Sequence, residues 1–279
     1  IGDETQLNAL FEEYSVSSPF IHIVASTEVI GYNEHPTKAL KEKPNSSISI
    51  GFHLLATGKI DAFLSAGNTG AMLVGAMFSI KPIPGVLRPT IATLLPKLNG
   101  STGLLVDVGL NADCKPEQMN QFGTLGHLYA KHILNIDSPK VGLLNVGEEE
   151  GKGNILAQAT YPLLKENTSI QFIGNVEGRD MFNEKADVIV CDGFTGNVIL
   201  KTAEAMYDAA VHQNLANDSF FGRYHFENYG GTPVLGVNKP VIIGHGISTA
   251  KAFKNMILLA EKMIDTSFCS IITDNFANI

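Results

Sequence analysis

Cysteine is scarce in this chain: Cys114, Cys191 and Cys269 are all that its 279 residues contain. They are odd in number, widely spaced and form no CxxC pair. That excludes a disulfide framework or a zinc knuckle and fits a reducing cytoplasm. Apolar runs are short, and none reaches the ~18 residues that a spanning helix needs. The chain opens Ile1-Gly2-Asp3-Glu4 without a basic stretch, so no signal peptide is read there. Charged residues make up only 17%, and the net charge is −8. An acidic chain is a poor footing for general nucleic-acid binding, although it leaves room for a local basic patch. Familiar nucleotide and ester motifs are missing as well. Gly147-Glu148-Glu149-Glu150-Gly151-Lys152-Gly153 is one residue short of a P-loop, lacks Ser/Thr after the lysine, and would repel a triphosphate with three acids. Gly244-His245-Gly246-Ile247-Ser248-Thr249 ends in threonine where a dinucleotide fingerprint has glycine. No GxSxG elbow is present.

What the chain does have is a 44% hydrophobic composition arranged in short runs that end in glycine and lead into helical periodicity. The length suits one large α/β domain or two smaller ones, and we expect a single domain over 1–279. Apolar runs predict strands at 21–24, 61–64, 91–95, 103–108, 141–145, 170–173, 187–191 and 241–243. Periodicity predicts helices over 71–78, 116–132, 155–165, 197–210 and 248–263. One more is capped by Ser46 or Ser47 and stopped at Gly58. Strands alternating with helices, and nearly unbroken Val/Ile/Leu within the strands, imply an α/β fold: a three-layer α/β/α arrangement around a largely parallel sheet.

Ligands of such sheets bind at the carboxyl ends of strands, and the glycine turns are expected to gather at one end. Two of them resemble each other: Ser65-Ala66-Gly67-Asn68-Thr69-Gly70 and Cys191-Asp192-Gly193-Phe194-Thr195-Gly196. A glycine turn feeding a helix presents backbone N–H groups and the positive end of the helix dipole, which suits an anion such as phosphate. Thr69 and Thr195 add hydroxyls, and Asn68 and Asn197 add amides. Two tight turns that simply need glycine backbone freedom would give the same pattern. Polar loops at 107–116 and 174–180 mix acids, amides and one cation each. For a single loop, solvation and helix capping explain that mixture; for several at one sheet edge, a site explains it better.

Seven segments then resemble one family in order and over nearly the whole chain: Ser65 to Ala71, Arg88-Pro89, Asn111 to Pro116, Gly142 to Glu149, Gly174 to Asp180, Asp192 to Asn197, and Tyr229 to Pro233. They are similar to the signature segments of the PlsX phosphate acyltransferases. The resemblance implies an isocitrate/isopropylmalate dehydrogenase-like fold and a homodimer. It implies an enzyme making acyl-phosphate from acyl-[acyl-carrier-protein] and inorganic phosphate, at the first committed step toward phosphatidic acid in bacterial phospholipid synthesis. It implies no cofactor or metal, a cytoplasmic setting, and a peripheral contact with the membrane's inner face or with a membrane glycerol-phosphate acyltransferase. Asp192 to Lys201 is also similar to a stretch of phosphotransacetylases. The family has a strand and a Met-Gly-Gly-Asp-like turn before the position of Ile1, so that unit is expected to be absent. The stretch between Tyr207 and Tyr229 is shorter than the family's helical extension.

The chemistry needs no enzyme nucleophile, because phosphate attacks the thioester and a thiolate leaves readily. Phosphate is expected on Ser65, Asn68, Thr69 and Gly70 and on Thr195, Gly196 and Asn197. Lys115 and Arg179 are the leading cations, with Arg88 and Lys201 behind them. His245 is the candidate oxyanion donor or acid toward sulfur, and packing at a strand end is its plain alternative. Asp192 and Glu177 are expected to orient cations. Asn111, Asp113 and Asn175 complete the polar loops. Cys114 beside Lys115 offers a covalent alternative. A carrier protein is acidic, so docking calls for a basic patch near the cleft, for which Arg223, Lys239, Lys251 and Lys254 are candidates. The aromatic run 220–226 reads as packing or a dimer contact ahead of a membrane contact. Two rival classes remain: a nicotinamide-dependent hydroxy-acid dehydrogenase of the same fold class, and an inactive binding module. No nucleic-acid partner is expected.

Overall fold

The structure, a computed structural model, describes residues 1–215 and 218–277. Eight strands form one sheet among these residues: Phe63–Ser65 (β1), Thr90–Pro96 (β2), Thr102–Val106 (β3), Lys140–Leu144 (β4), Gln171–Val176 (β5), Val188–Val190 (β6), Gly231–Leu235 (β7) and Val241–Gly244 (β8). Their order is β1-β8-β7-β2-β3-β6-β4-β5. Four neighbouring pairs are parallel, and the three that involve β2 or β7 are antiparallel. The sheet is therefore mixed and mostly parallel, as expected.

Alternation along the strands builds a core on each face. Leu104 and Val106 of β3 enter one core with Val188 and Val190 of β6, while Leu105 and Ile189 enter the other. The first core is roofed by Pro116–His132 (the fifth α-helix, α5), Ile155–Glu166 (α6), Ala250–Asp265 (α8) and Phe268–Phe276 (α9). The second is roofed by Pro36–Glu42 (α2), Ser47–Ala56 (α3), Thr69–Gly75 (α4) and Gly193–His212 (α7). Glu4–Glu13 (α1) has no buried residue. Ser46 caps α3 by accepting from the Ser49 N–H at 3.2 Å, and Gly58 ends that segment with φ at +70°.

Three readings of the sequence need correction. Residues 21–24 form no strand: the segment has only a bridge between Gly2 and Ala25 beside it, and no ladder satisfies its backbone. The helix expected over 71–78 is α4 followed by one π-helical turn, Ala76–Ile80. The glycine turns do not share one edge. β1, β8 and β2 end at one edge of the sheet, whereas β3, β4, β5 and β6 run the other way and end at the opposite edge.

The sheet also forks. β2 and β7 pair only at Thr90–Leu235 and Ile91–Val234. Beyond that seam β2 continues with β3 to Pro96, and β7 diverges with β8 toward Gly231. Pro233 borders the split, where a residue without an N–H is tolerated.

Candidate active site

The loop after β3 is built around the fully buried Asp107. Its carboxylate accepts from the N–H groups of Ile91, Leu110 and Asn111 and from the Asn111 amide, at 2.7–3.3 Å. Burial pushes its carboxyl pKa up against those donors. The Asn111 amide also donates to the Pro89 carbonyl at 2.9 Å, tying this loop to the Arg88 segment. Asn111 thereby joins the two loops.

The second glycine turn presses onto the same loop. A side chain at Gly196 would overlap the Asp107 carbonyl oxygen, so only glycine lets α7 start there. Asp192 caps α7, accepting from the Thr195 N–H at 2.9 Å and the Thr195 hydroxyl at 2.7 Å. The expected pairing of Asp192 with a cation is replaced by this cap, because the first-turn N–H groups lie closer than any ammonium. Asn197 donates to the Val108 carbonyl at 3.3 Å.

In the first turn, Ser65 accepts from the Gly67 N–H at 3.1 Å and Asn68 from the Ala71 N–H at 2.9 Å. The buried Asn68 amide donates to the carbonyls of Gly31, Tyr32 and Glu34. It thus pins a neighbouring segment and points away from solvent. A side chain on Gly70 would run into Pro36 of α2. Tyr32 reaches back to the Ala66 carbonyl at 3.2 Å.

A cavity of about 810 Å³ fills the fork of the sheet. The turns meet there from opposite edges: Thr69 from the first, Asn197 and Lys201 from α7, and His245 from the end of β8 all line it. Lys201 pairs with Glu204 at 2.7 Å. The exposed His245 ring lies 5.1 Å from that of Phe226.

The other expected residues stand outside this lining. Arg88, Asp113 and Lys115 sit on exposed loops, with no ion pair for Arg88 or Lys115 among the described residues. Glu177 does hold Arg179, at 2.8 Å, with Glu148 at 3.8 Å. Asn175 belongs to β5 itself and donates to the Glu149 carbonyl at 2.8 Å. The Cys114 thiol is pushed up to about 11 by burial, with Asp107, Asp192 and Asp113 adding to the effect. It donates to the Asn111 carbonyl at 3.3 Å. A protonated, hydrogen-bonded thiol is a poor nucleophile.

Sequence reading missed the walls of the cavity: β2 from Ile91 to Pro96, Tyr32, and the start of β7. Of the docking candidates, Arg223 is occupied, donating to the Lys97 carbonyl at 2.9 Å, the Thr102 hydroxyl at 3.2 Å and the Ser101 carbonyl. Lys251 donates to the Asn228 side chain at 2.6 Å. Phe220 and Tyr224 pack with Phe182 and with each other, and Phe221 packs on Phe220, ring centroids 5.4–6.2 Å apart, as a packing role requires. Ala216 and Asn217 of the shortened stretch lie outside the described residues.

The chain matches the family model described as "Fatty acid synthesis protein" over residues 1–221 and 210–271. It is 42% identical to the phosphate acyltransferase of Halothermothrix orenii, covering 97% of this chain and 86% of that one. It is 44% identical to the one from Dictyoglomus thermophilum, covering 95% and 84%. Among solved structures, a phosphotransacetylase from Streptococcus pyogenes aligns at a TM-score of 0.67 with 16% identity, over 95% of this chain and 85% of that one. The EutD phosphotransacetylase from Staphylococcus aureus aligns at 0.63, also with 16% identity, over 94% and 84%. At that identity the likeness speaks for the three-layer fold alone.

Proposed function

The chain belongs to the fatty acid synthesis protein family, and from that membership we propose that it is a phosphate acyltransferase whose reaction centre is the mouth of the sheet fork. The donor is an acyl-[acyl-carrier-protein] thioester. One oxygen of inorganic phosphate attacks the thioester carbonyl, the C–S bond breaks, and the proton of the phosphate passes to the departing thiolate. The products are acyl-phosphate and free carrier thiol. Phosphate titrates near neutrality, as a phosphomonoester does at about 6, so it needs little activation. The protein's task is to hold it against the carbonyl and to stabilise the oxyanion.

One observation carries the reading: Thr69 of α4, Asn197 and Lys201 of α7, and His245 after β8 line a single cavity together with the apolar strand β2. Of the two lysines on the lining, Lys201 and Lys262, we assign phosphate to Lys201, which would exchange Glu204 for it. Thr69 and the first turn of α7 supply neutral donors, and His245 faces the departing sulfur. Arg88 and Lys115, on loops joined through Asn111 and Pro89, are offered to the acidic carrier protein. Family membership disfavours the dehydrogenase reading. A homodimer, a cytoplasmic workplace and a peripheral membrane contact rest on the family resemblance; no described helix is long and apolar enough to cross a membrane. Incubating the protein with acyl-carrier thioester and phosphate, and following thiol release, tests the reaction. We expect release that depends on phosphate; release at the same rate without phosphate, or none at all, defeats it.

A further inference from the structure

The fork leaves three backbone polar groups of β2 without a ladder partner. In a strand the N–H and C=O of one residue point to the same side and those of the next residue to the other. Leu104 donates to Asp187 and Val106 accepts from Cys191, so the even residues of β3 face β6. Its odd residues therefore face β2, and Leu105 and Gly103 stand opposite Thr93 and Leu95. Ile91 fits the same parity, its carbonyl accepting from the Val108 N–H at 3.1 Å. Thr90, Ala92, Leu94 and Pro96 must then face the opposite side, toward β7. Thr90 finds Leu235 there. Pro96 has no N–H, and its carbonyl accepts from the Tyr224 hydroxyl at 3.2 Å. Between these two stoppers stand Ala92 and Leu94, which both line the cavity. With Ile91 facing β3, the Ile91–Val234 pair is a non-hydrogen-bonded one, so the Ala92 N–H still closes the ladder on the Pro233 carbonyl. What the fork leaves open is the Ala92 carbonyl and the N–H and carbonyl of Leu94.

Apart from the Pro233 carbonyl, the far bank cannot close the gap. Pro233 of β7 has no N–H to give, and the Gly231 N–H is turned to the Tyr229 carbonyl at 3.0 Å. The slot is thus a short strand edge, made of the Ala92 carbonyl and both Leu94 groups, flanked by apolar side chains and open at the proposed reaction centre. Lining residues come from both cores: Ile91, Leu95 and Ile243 from one, Ala92, Tyr129 and Ile133 from the other. The passage therefore runs through the plane of the sheet. An entirely hydrocarbon guest would leave the Ala92 carbonyl and the Leu94 N–H and carbonyl unsatisfied, at a cost that native structures avoid. A narrow chain bearing amides between methylene links would satisfy them.

We propose that the fork receives the donor's thioester arm as an added strand-like chain, hydrogen-bonded to the Ala92 carbonyl and to the N–H and carbonyl of Leu94. This rests on the phosphate acyltransferase reading. Carrier-protein and coenzyme A donors share the same pantetheine arm, which has two secondary amides joined by short methylene links and ends in the sulfur. Lying along β2, the arm is recognised by main chain, the mode used in strand addition. It delivers the thioester to Thr69, Asn197 and His245.

The test uses donors and one variant. On the unaltered enzyme, acyl-pantetheine is compared with analogues in which each amide is replaced by an ester, and with acyl-carrier protein and acyl-coenzyme A. Each amide lost should lower kcat/KM about tenfold, and amide dependence in the small donor separates the arm from any contribution of the carrier's surface. Leu94→Pro removes the N–H facing the fork and no N–H facing β3. It should lower turnover of acyl-pantetheine about tenfold relative to an amide-free alkyl thioester. Ester analogues used as well as their parent would overturn the proposal, as would equal losses on both donors in a folded Leu94→Pro protein. Should that variant fail to fold, the analogues decide alone. Calorimetric binding of free pantetheine is read without turnover: binding weakened in the ester analogues supports the fork even if no thioester reacts, and an absence of binding sinks it.

Discussion

Asp180 shows how a residue inside a polar, site-like loop can be purely structural. Burial pushes its carboxyl up, but the Glu177 N–H, the Lys185 ammonium and the Asn183 amide outweigh that and hold it at about 2, below its usual 3.8. A depressed carboxylate stabilises the fold fully above its unfolded value and loses that contribution as pH falls through the folded one. Stability from Asp180 is therefore complete at neutral pH and vanishes between pH 3.8 and about 2. The shift corresponds to roughly 2 kcal/mol. Urea denaturation should find Asp180→Asn weaker by about that amount at pH 7, with the difference closing near the acid end. Cys114 gives a second residue-scale expectation. With its thiol held protonated, Cys114→Ser should keep most of its phosphate-dependent thiol release. Loss of all activity in a folded Cys114→Ser protein would bring the covalent route back.

At the scale of elements, the start of α7 is the most exacting joint. Gly196 lies against the Asp107 carbonyl, and Asn197, the next residue, lines the cavity. Gly196→Ala should push the helix off the β3 loop at a cost of about 1–3 kcal/mol and move Asn197 with it. A lowered melting temperature together with a reduced kcat/KM for phosphate would report this; an unchanged kcat/KM would separate the joint from the chemistry. This level also shows what could be read in the sequence. α5 runs from Pro116 to His132, as its period and its N-terminal proline predict. The Ser46 cap is equally local and equally legible. β7 was missed because Gly231, Thr232 and Pro233 have the chemistry of a turn, and only pairing with β8 makes them a strand. Residues 21–24 failed in reverse, with strand-like composition and no partner. Thr69, Asn197, Lys201 and His245 could be picked out by residue type. The β2 wall could not, because an unpaired strand edge is a property of register and leaves no mark in composition.

Across the whole molecule, the direction of the strands decides how a site can form. Turns leaving opposite edges of a mixed sheet ordinarily face away from each other. Here the seam at Thr90 and Ile91 lets the sheet part, and loops from both edges reach one cavity. The antiparallel β2 and β7 are thus the reason that residues from two similar turns border one cavity. The same layout sets an order on synthesis. β1 has β8 as its sheet neighbour, and Phe63 waits for Val241. At roughly 5–20 residues per second the ribosome needs on the order of ten to forty seconds to supply that partner. Throughout this interval β3, β6, β4 and β5 can assemble among themselves, while Phe63 to Ser65 remains an orphan edge on the nascent chain, open to whatever chaperone or stray strand meets it first.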